Sequence, residues 1–95
     1  MIPGTTSKLS ESTVVGVDTI SAKTDIVTVT GVGPVNTIIP NFGGGFSGIL
    51  FLVSPAALVL GTTGNILVGA TLVVNRATIL IYVKSLGKWV IQTVA

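Results

Sequence analysis

The chain has no cysteine and no histidine among its 95 residues. Without cysteine it forms neither a disulfide framework nor a reactive thiol. The Ser-His and Cys-His pairs of nucleophilic catalysis are excluded as well, because each needs one of the two missing residues. Only a hard, all-oxygen metal site of the calcium type remains available to such a chain.

Acidic side chains are also scarce, and Glu11, Asp18 and Asp25 are the only three. A glycosidase-type pair of carboxylates would have to come from these residues. Asp18 and Asp25 lie at predicted strand boundaries, where aspartate ordinarily forms turns. The spacing of the three acids does not resemble an EF-hand loop. We therefore predict that the chain is not an enzyme and has no catalytic residue, no cofactor and no metal.

The positive charges are few and scattered, although they give a net charge of +2. Binding to nucleic acid needs a dense basic stripe that contacts about 6–10 phosphates. Only Lys84 and Lys88 lie close together, so the pattern indicates solvated strand ends and no nucleic-acid partner. The full set is Lys8, Lys23, Arg76, Lys84 and Lys88.

No long apolar run is present, although residues 26–75 contain no charged side chain. Glycine, proline, threonine and asparagine divide this stretch into pieces far shorter than the ~18 residues of a spanning helix. A membrane-inserting segment would have to be residues 45–61, which Ser54-Pro55 splits, so we predict no membrane partner. Residues 1–8 do not have the pattern of a secretory signal.

The short apolar pieces are typical of β-strands, and turn signals recur every 7–12 residues. They predict an all-β sandwich or barrel of about seven to nine short strands. Glycines of residues 41–48 predict a bend, since a strand follows them and a phosphate-binding loop needs a helix there. The predicted strands cover residues 24–30, 35–39, 49–53, 57–60, 77–84 and 89–94, together with 66–68 and 70–74 on either side of a bulge or bend at Gly69, and one further strand or pair at 13–17 and 18–20.

The first twelve residues are small and polar, and they predict a flexible arm (1–12) ahead of a single β-domain (13–95). We expect this arm to reach beyond its own domain, across a neighbouring subunit or a particle surface. A frayed terminus is the alternative interpretation.

The composition, 48% hydrophobic and 8% charged, predicts assembly. A monomer this poor in charge would expose large apolar patches, which usually mark interaction sites. Obligate homo-oligomers bury such patches between subunits. A monomer kept in lipid or detergent is the alternative. The candidate interface residues are Ile2, Leu9, Phe42, Phe46, Tyr82 and Trp89.

Three local motifs carry a resemblance: the aromatic glycine bend of residues 44–48, the turn Thr63-Gly64-Asn65-Ile66, and the hairpin from Tyr82 to Gly87-Lys88-Trp89. Together, over residues 20–93, the chain resembles small β-rich bacteriophage virion proteins. That resemblance implies a trimeric β-structure on the capsid, as a decoration or cement protein, or within a tail fibre.

The short length of the chain favours the first role. We predict a homotrimeric decoration protein that binds the major capsid protein at the outer capsid surface of the virion and stabilises the shell. The alternative function is a tail-fibre or spike module that recognises a host-surface carbohydrate. In that case Phe42, Phe46, Tyr82 and Trp89 would stack on the sugar rings.

Overall fold

A computed structural model describes residues 8–42 and 45–92 of the chain. Those residues form nine β-strands and no helix, which confirms the predicted small all-β fold of seven to nine short strands. The strands are β1 (Glu11–Val15), β2 (Thr19–Ala22), β3 (Ile26–Thr30), β4 (Thr37–Pro40), β5 (Gly48–Val53), β6 (Val59–Leu60), β7 (Ala70–Thr71), β8 (Thr78–Val83) and β9 (Lys88–Ile91).

The first half of the fold is a stack of parallel coils. β1, β3 and β5 lie side by side in one sheet, and β2 and β4 pair in a second sheet. The chain therefore alternates between the two sheets. Each return to a sheet places the new strand beside the previous strand of that sheet and parallel to it. Glu11 lies opposite Ile26 and Thr19 opposite Thr37, a coil geometry found in β-solenoids.

The second half of the chain is antiparallel. β8 pairs with β5 and then with β9, which completes a five-stranded sheet in the order β1-β3-β5-β8-β9. The predicted hairpin loop at residues 85–88 is confirmed: it joins β8 to β9, and Gly87 has a positive φ of 63°. β6 and β7 form a separate two-stranded ladder.

Two predicted strands are corrected by the structure. Residues 66–68 make only an isolated bridge, between Ile66 and Trp89, and β7 covers two of the five residues predicted at 70–74. Beyond β7, the Leu72 amide donates to the Leu58 carbonyl, which continues the antiparallel register of β6 and β7 by one more residue pair before the chain leaves the ladder. Asn75, with a φ of 59°, then turns it towards β8.

The core lies between the inner face of the five-stranded sheet and the layer that contains β2, β4 and β6. In the described part of the chain, no buried side-chain nitrogen or oxygen lacks a hydrogen-bond partner. The buried apolar side chains are Ile20, Ala22, Val27, Val29, Val35, Ile38, Leu50, Leu52, Leu58, Leu60, Ile66, Leu72, Leu80, Tyr82 and Trp89.

One end of the coil stack is closed by side chains that take the place of a further strand. The Asn65 side chain accepts a hydrogen bond from the Ile38 amide at 2.8 Å and donates to the Ile38 carbonyl at 2.7 Å. The Trp89 indole donates to the same carbonyl at 2.9 Å. A Cβ at Gly64 would overlap the Asn36 carbonyl oxygen, so this close approach requires glycine.

Candidate assembly surface

The outer face of the five-stranded sheet, which we call the open face, points away from the core. The alternating burial of each strand and the register between strands assign its side chains without conflict. They are Glu11, Thr13 and Val15 of β1; Ile26, Thr28 and Thr30 of β3; Ile49, Phe51 and Val53 of β5; Ile79, Ile81 and Val83 of β8; and Lys88 and Val90 of β9.

Apolar side chains form continuous rows across this face. One row aligns Ile26, Phe51 and Ile79, and another aligns Ile49, Ile81 and Val90. Its two charged side chains, Glu11 and Lys88, lie on the two outermost strands. The middle of the face therefore carries no charge.

None of the open-face side chains belongs to the buried core. Ile49 is 57% exposed and Ile81 is 42% exposed. An antiparallel or mixed sheet with one face in water normally places polar residues on that face. A contiguous apolar surface of this kind marks a site of interaction, so the open face is the candidate functional site.

The size of the open face follows from the spacing of its strands. Five strands about 4.8 Å apart, each about five residues long with a rise of about 3.3 Å per residue, cover about 400 Å² in projection. This area is about half of what one partner contributes to a standard protein–protein interface, about 800 Å².

Three of the predicted interface residues meet inside the protein, away from the open face. The Tyr82 and Trp89 rings lie 5.2 Å apart between centroids, and Phe42 lies 5.9 Å and 6.1 Å from them, all in edge-to-face geometry. Trp89 is fully buried and Tyr82 nearly so. Neither ring presents a face to the solvent on which a sugar would stack.

The other predicted interface residues lie apart from this cluster. Leu9, just before β1, and Phe46, just before β5, are 50% and 68% exposed, and their role in an interface stays a prediction. Ile2 lies outside the described residues, as does most of the predicted arm. β1 begins at Glu11. The arm was predicted to extend to residue 12, so its last two residues belong to β1.

The open face was missed in the sequence because both faces of β5 and β8 are apolar. Residues 77–84 already show the signal, since Ile79, Ile81 and Val83 alternate with Leu80 and Tyr82. In a strand with one wet face, one of these two sets would be polar. An alternation of apolar with apolar residues therefore indicates a strand covered on both faces.

The three carboxylates lie at bends or on the edge strand β1, and two of them accept hydrogen bonds from residues 15 and 18 positions away in the sequence. Asp25 accepts hydrogen bonds from the amide and the hydroxyl of Ser10 at 3.1 Å and 3.0 Å. Asp18 accepts one from the Asn36 side chain at 2.7 Å. Glu11 is exposed on β1. Within residues 8–42 and 45–92, no three acidic, histidine or cysteine side chains group closely enough to hold a metal ion.

A shallow groove of about 310 Å³ lies beside β7 and the end of β9. Its walls are mostly apolar, and none of the residues that form them carries a titratable side chain. The groove therefore offers no titratable group for acid–base chemistry, and its lining contains no base that could activate the hydroxyl of Thr71 or Thr78. Its lining consists of residues 68–73, Thr78, Ile91 and Gln92.

The described residues contain no helix with the length and hydropathy needed to cross a membrane. No protein family, curated protein or solved structure gives a significant match to this chain. The open face is therefore interpreted from its own geometry and chemistry.

Proposed function

We propose that the chain is a structural protein that assembles with copies of itself through the open face. The observation that supports this proposal is the contiguous apolar surface over β5 and β8, extended by Ile26 of β3 and Val90 of β9, with charge only on the two outermost strands. Interfaces of homo-oligomers are apolar and poor in charge at their centre. Burial of such a surface contributes about 25 cal/mol per Å² to association.

The number of copies that we propose, three, rests on the resemblance to virion proteins, which implies a homotrimer. Two faces packed together bury about 800 Å² in projection, and three faces turned towards a common axis bury about 1,200 Å² shared among three pairs, or about 400 Å² per pair. Specific stable interfaces begin at about 1,200 Å² for one pair. Contacts outside the open face must therefore add to the buried area in a stable trimer.

The biological role that we propose is a bacteriophage capsid decoration, or cement, protein. In this role the trimer binds the major capsid protein on the outer surface of the virion and joins neighbouring capsid subunits. Several weak contacts made at once by one trimer raise the overall avidity. The support for this assignment is the sequence resemblance over residues 20–93, and the open face supports the assembling part of it.

The self-assembly is tested with Ile81→Asp, which places a charge in the middle of the open face. Val59→Asp is the matched control, because Val59 is 40% exposed and lies on β6, away from that face. Light scattering after size-exclusion chromatography is expected to show a trimer for the wild type and the control and a folded monomer for Ile81→Asp. A wild-type monomer, or a trimer that survives Ile81→Asp, contradicts assembly through the open face.

The virion role is tested by the copy number of the protein in purified particles. Quantitative mass spectrometry of intact capsids is expected to find hundreds of copies for a decoration protein. Addition of the purified trimer to particles that lack it should also raise their resistance to heat. Absence from the particles rules out the proposed role.

A second candidate function, a tail-fibre or spike module, is favoured by the parallel coils of β1 to β5. Stacked coils extend along one direction and suit an elongated fibre. The motif residues Gly64, Asn65 and Trp89 close one end of this stack, as a terminal module would require. A few trimers per particle, together with binding on a glycan array, would select this function over decoration.

A further inference from the structure

The outer edge of β1 carries main-chain groups that face away from the rest of the sheet. The Ser10 carbonyl accepts from the Ile26 amide, and the Gly16 amide donates to the Thr30 carbonyl. Since alternate residues of a parallel strand bond to the same neighbour, Ser12 and Val14 continue the ladder with β3. The amides and carbonyls of Glu11, Thr13 and Val15 therefore point outwards, where no described residue pairs with them.

Among the described residues nothing covers this edge, unlike the opposite end of the coil stack. Proteins normally guard an exposed edge strand with lysine, proline, a bulge or a covering segment. Asn65 and Trp89 provide such a cover for β4. β1, with the sequence Glu-Ser-Thr-Val-Val, has none of these devices except the single charge of Glu11.

We propose that β1 pairs with β1 of a second copy, antiparallel, about a two-fold axis at Thr13. In this register Glu11 of each copy lies opposite Val15 of the other, so the carboxylates do not face each other. The two Thr13 residues form a hydrogen-bonded pair at the axis, and threonine–threonine pairs are favourable across strands. A register centred on Glu11 would place like charges directly opposite.

The second layer of the stack supports the same contact. β2 has no partner on its outer edge within the described residues, and the chain that joins it to β1 exposes Val17. The end of the two-layer stack, with layers about 10 Å apart and strands about 16 Å long, offers about 160 Å² per copy in projection. This area lies below that of stable interfaces, so the contact is weak and concentration-dependent. It joins two oligomers built on the open face into a larger assembly.

The experiment compares Thr13→Lys and Thr13→Pro with Thr13→Val. The lysine side chains of two copies would face each other at the axis, and proline removes only the outward amide. Valine keeps the amide and the β-branched shape. Sedimentation equilibrium from micromolar to millimolar protein is expected to show the wild type and Thr13→Val doubling in mass. Thr13→Lys and Thr13→Pro should weaken this step by about tenfold or more, because cross-strand pairing at the axis is lost.

The same measurement in the Ile81→Asp background separates this contact from the open face. That variant is expected to be a monomer that dimerises weakly, and addition of Thr13→Lys should abolish the dimer. If Thr13→Pro fails to fold, Thr13→Lys decides the outcome in the Ile81→Asp background, where the open face that carries residue 13 is not packed against another copy. The proposal is overturned if the wild type shows no doubling of mass. It is also overturned if Thr13→Val weakens the doubling as much as Thr13→Lys does. Persistence of the weak dimer in the Thr13→Lys, Ile81→Asp variant overturns it too.

Discussion

The two faces of the five-stranded sheet are built from the same strands but carry different side chains. The inner face fills the core with large leucine and aromatic groups, such as Leu50, Leu80 and Trp89. All open-face side chains except Glu11, Phe51 and Lys88 are β-branched. β-Branched side chains have few rotamers, so they lose little conformational entropy when another surface covers them.

The difference between the faces separates folding from assembly. Leucine and aromatic side chains interlock with a second layer of the same chain, and their loss leaves a cavity in the monomer. The stiff, flat open face has no layer of its own to fill. Substitutions on the inner face should therefore reduce the stability of each subunit, and substitutions on the open face should reduce the stability of the oligomer.

The largest effect is expected from Trp89→Ala on the inner face. Its side chain is fully buried, stacks edge-to-face on two aromatic rings and donates a hydrogen bond to the Ile38 carbonyl. Truncation should lower the free energy of unfolding by about 3–5 kcal/mol, a large fraction of the roughly 5–15 kcal/mol by which a small domain is stable. Denaturant titration followed by circular dichroism measures this loss. Trp89→Phe, which keeps a ring but not the indole donor, should lose less, and an equal loss in both variants would contradict the role of the packed ring.

Leu80→Ala and Ile81→Ala compare the two faces at adjacent positions of β8. Leu80 is fully buried and Ile81 is 42% exposed. We expect Leu80→Ala to lower the free energy of unfolding by about 2–5 kcal/mol. Ile81→Ala should change the stability of the monomer by less than about 1 kcal/mol and should weaken the oligomer.

These two readouts are separated by measuring unfolding at several protein concentrations, because only oligomer stability depends on concentration. A concentration-independent loss in Ile81→Ala that equals the loss in Leu80→Ala would erase the distinction between the faces.

Asn65→Ala tests the side-chain hydrogen bonds that close one end of the coil stack. The Asn65 side chain makes two hydrogen bonds with the main chain of Ile38 at the edge of β4. Their removal leaves a partly buried amide and carbonyl with fewer partners, which should cost about 1–3 kcal/mol of unfolding free energy. Asn36→Ala is the matched control, because the Asn36 side chain bonds to Asp18 in an exposed position and should lose less than about 1 kcal/mol. Similar losses in the two variants would show that Asn65 does not close the stack.

The strands that the sequence predicted well are those enclosed by turn residues. β3 ends at Gly31, β5 ends before Ser54-Pro55, and β8 is bounded by the Asn75-Arg76 turn. Residues 66–68 have the same apolar composition but form only one bridge. The side chain of their neighbour, Asn65, bonds to the main chain of Ile38 at a position where a further strand would otherwise pair. No pattern in the sequence indicates that a side chain takes this position.

The order of the strands was not predicted from the sequence, for a different reason. β1, β3 and β5 pair across 15 and 25 positions, so their order depends on how the coils pack and not on local turns. Both faces of β5 and β8 are apolar, which removes the alternation that would fix the inner face. The candidate aromatic residues were chosen by type, and the structure places Tyr82 and Trp89 in the core. The open face emerges only when the register aligns isoleucine and valine on neighbouring strands.

The smallest expected effect is that of Thr28→Val at the centre of β3 on the open face. Thr28 lies between Thr13 and Val53 in the same row, and its hydroxyl makes no hydrogen bond within the described residues. Valine keeps the β-branched shape and extends the apolar row towards β1. The free energy of unfolding of the monomer should therefore change by less than about 0.5 kcal/mol. If three copies pack their open faces together, the oligomer should tighten by up to a few-fold, since a buried hydroxyl without a partner is costly. Val59→Thr, on the exposed side of β6, is the matched control and should leave the oligomer unchanged. Weaker assembly of Thr28→Val would mean that the threonine hydroxyls of β1 and β3 make hydrogen bonds across the interface, and the apolar contact would then be confined to β5, β8 and β9.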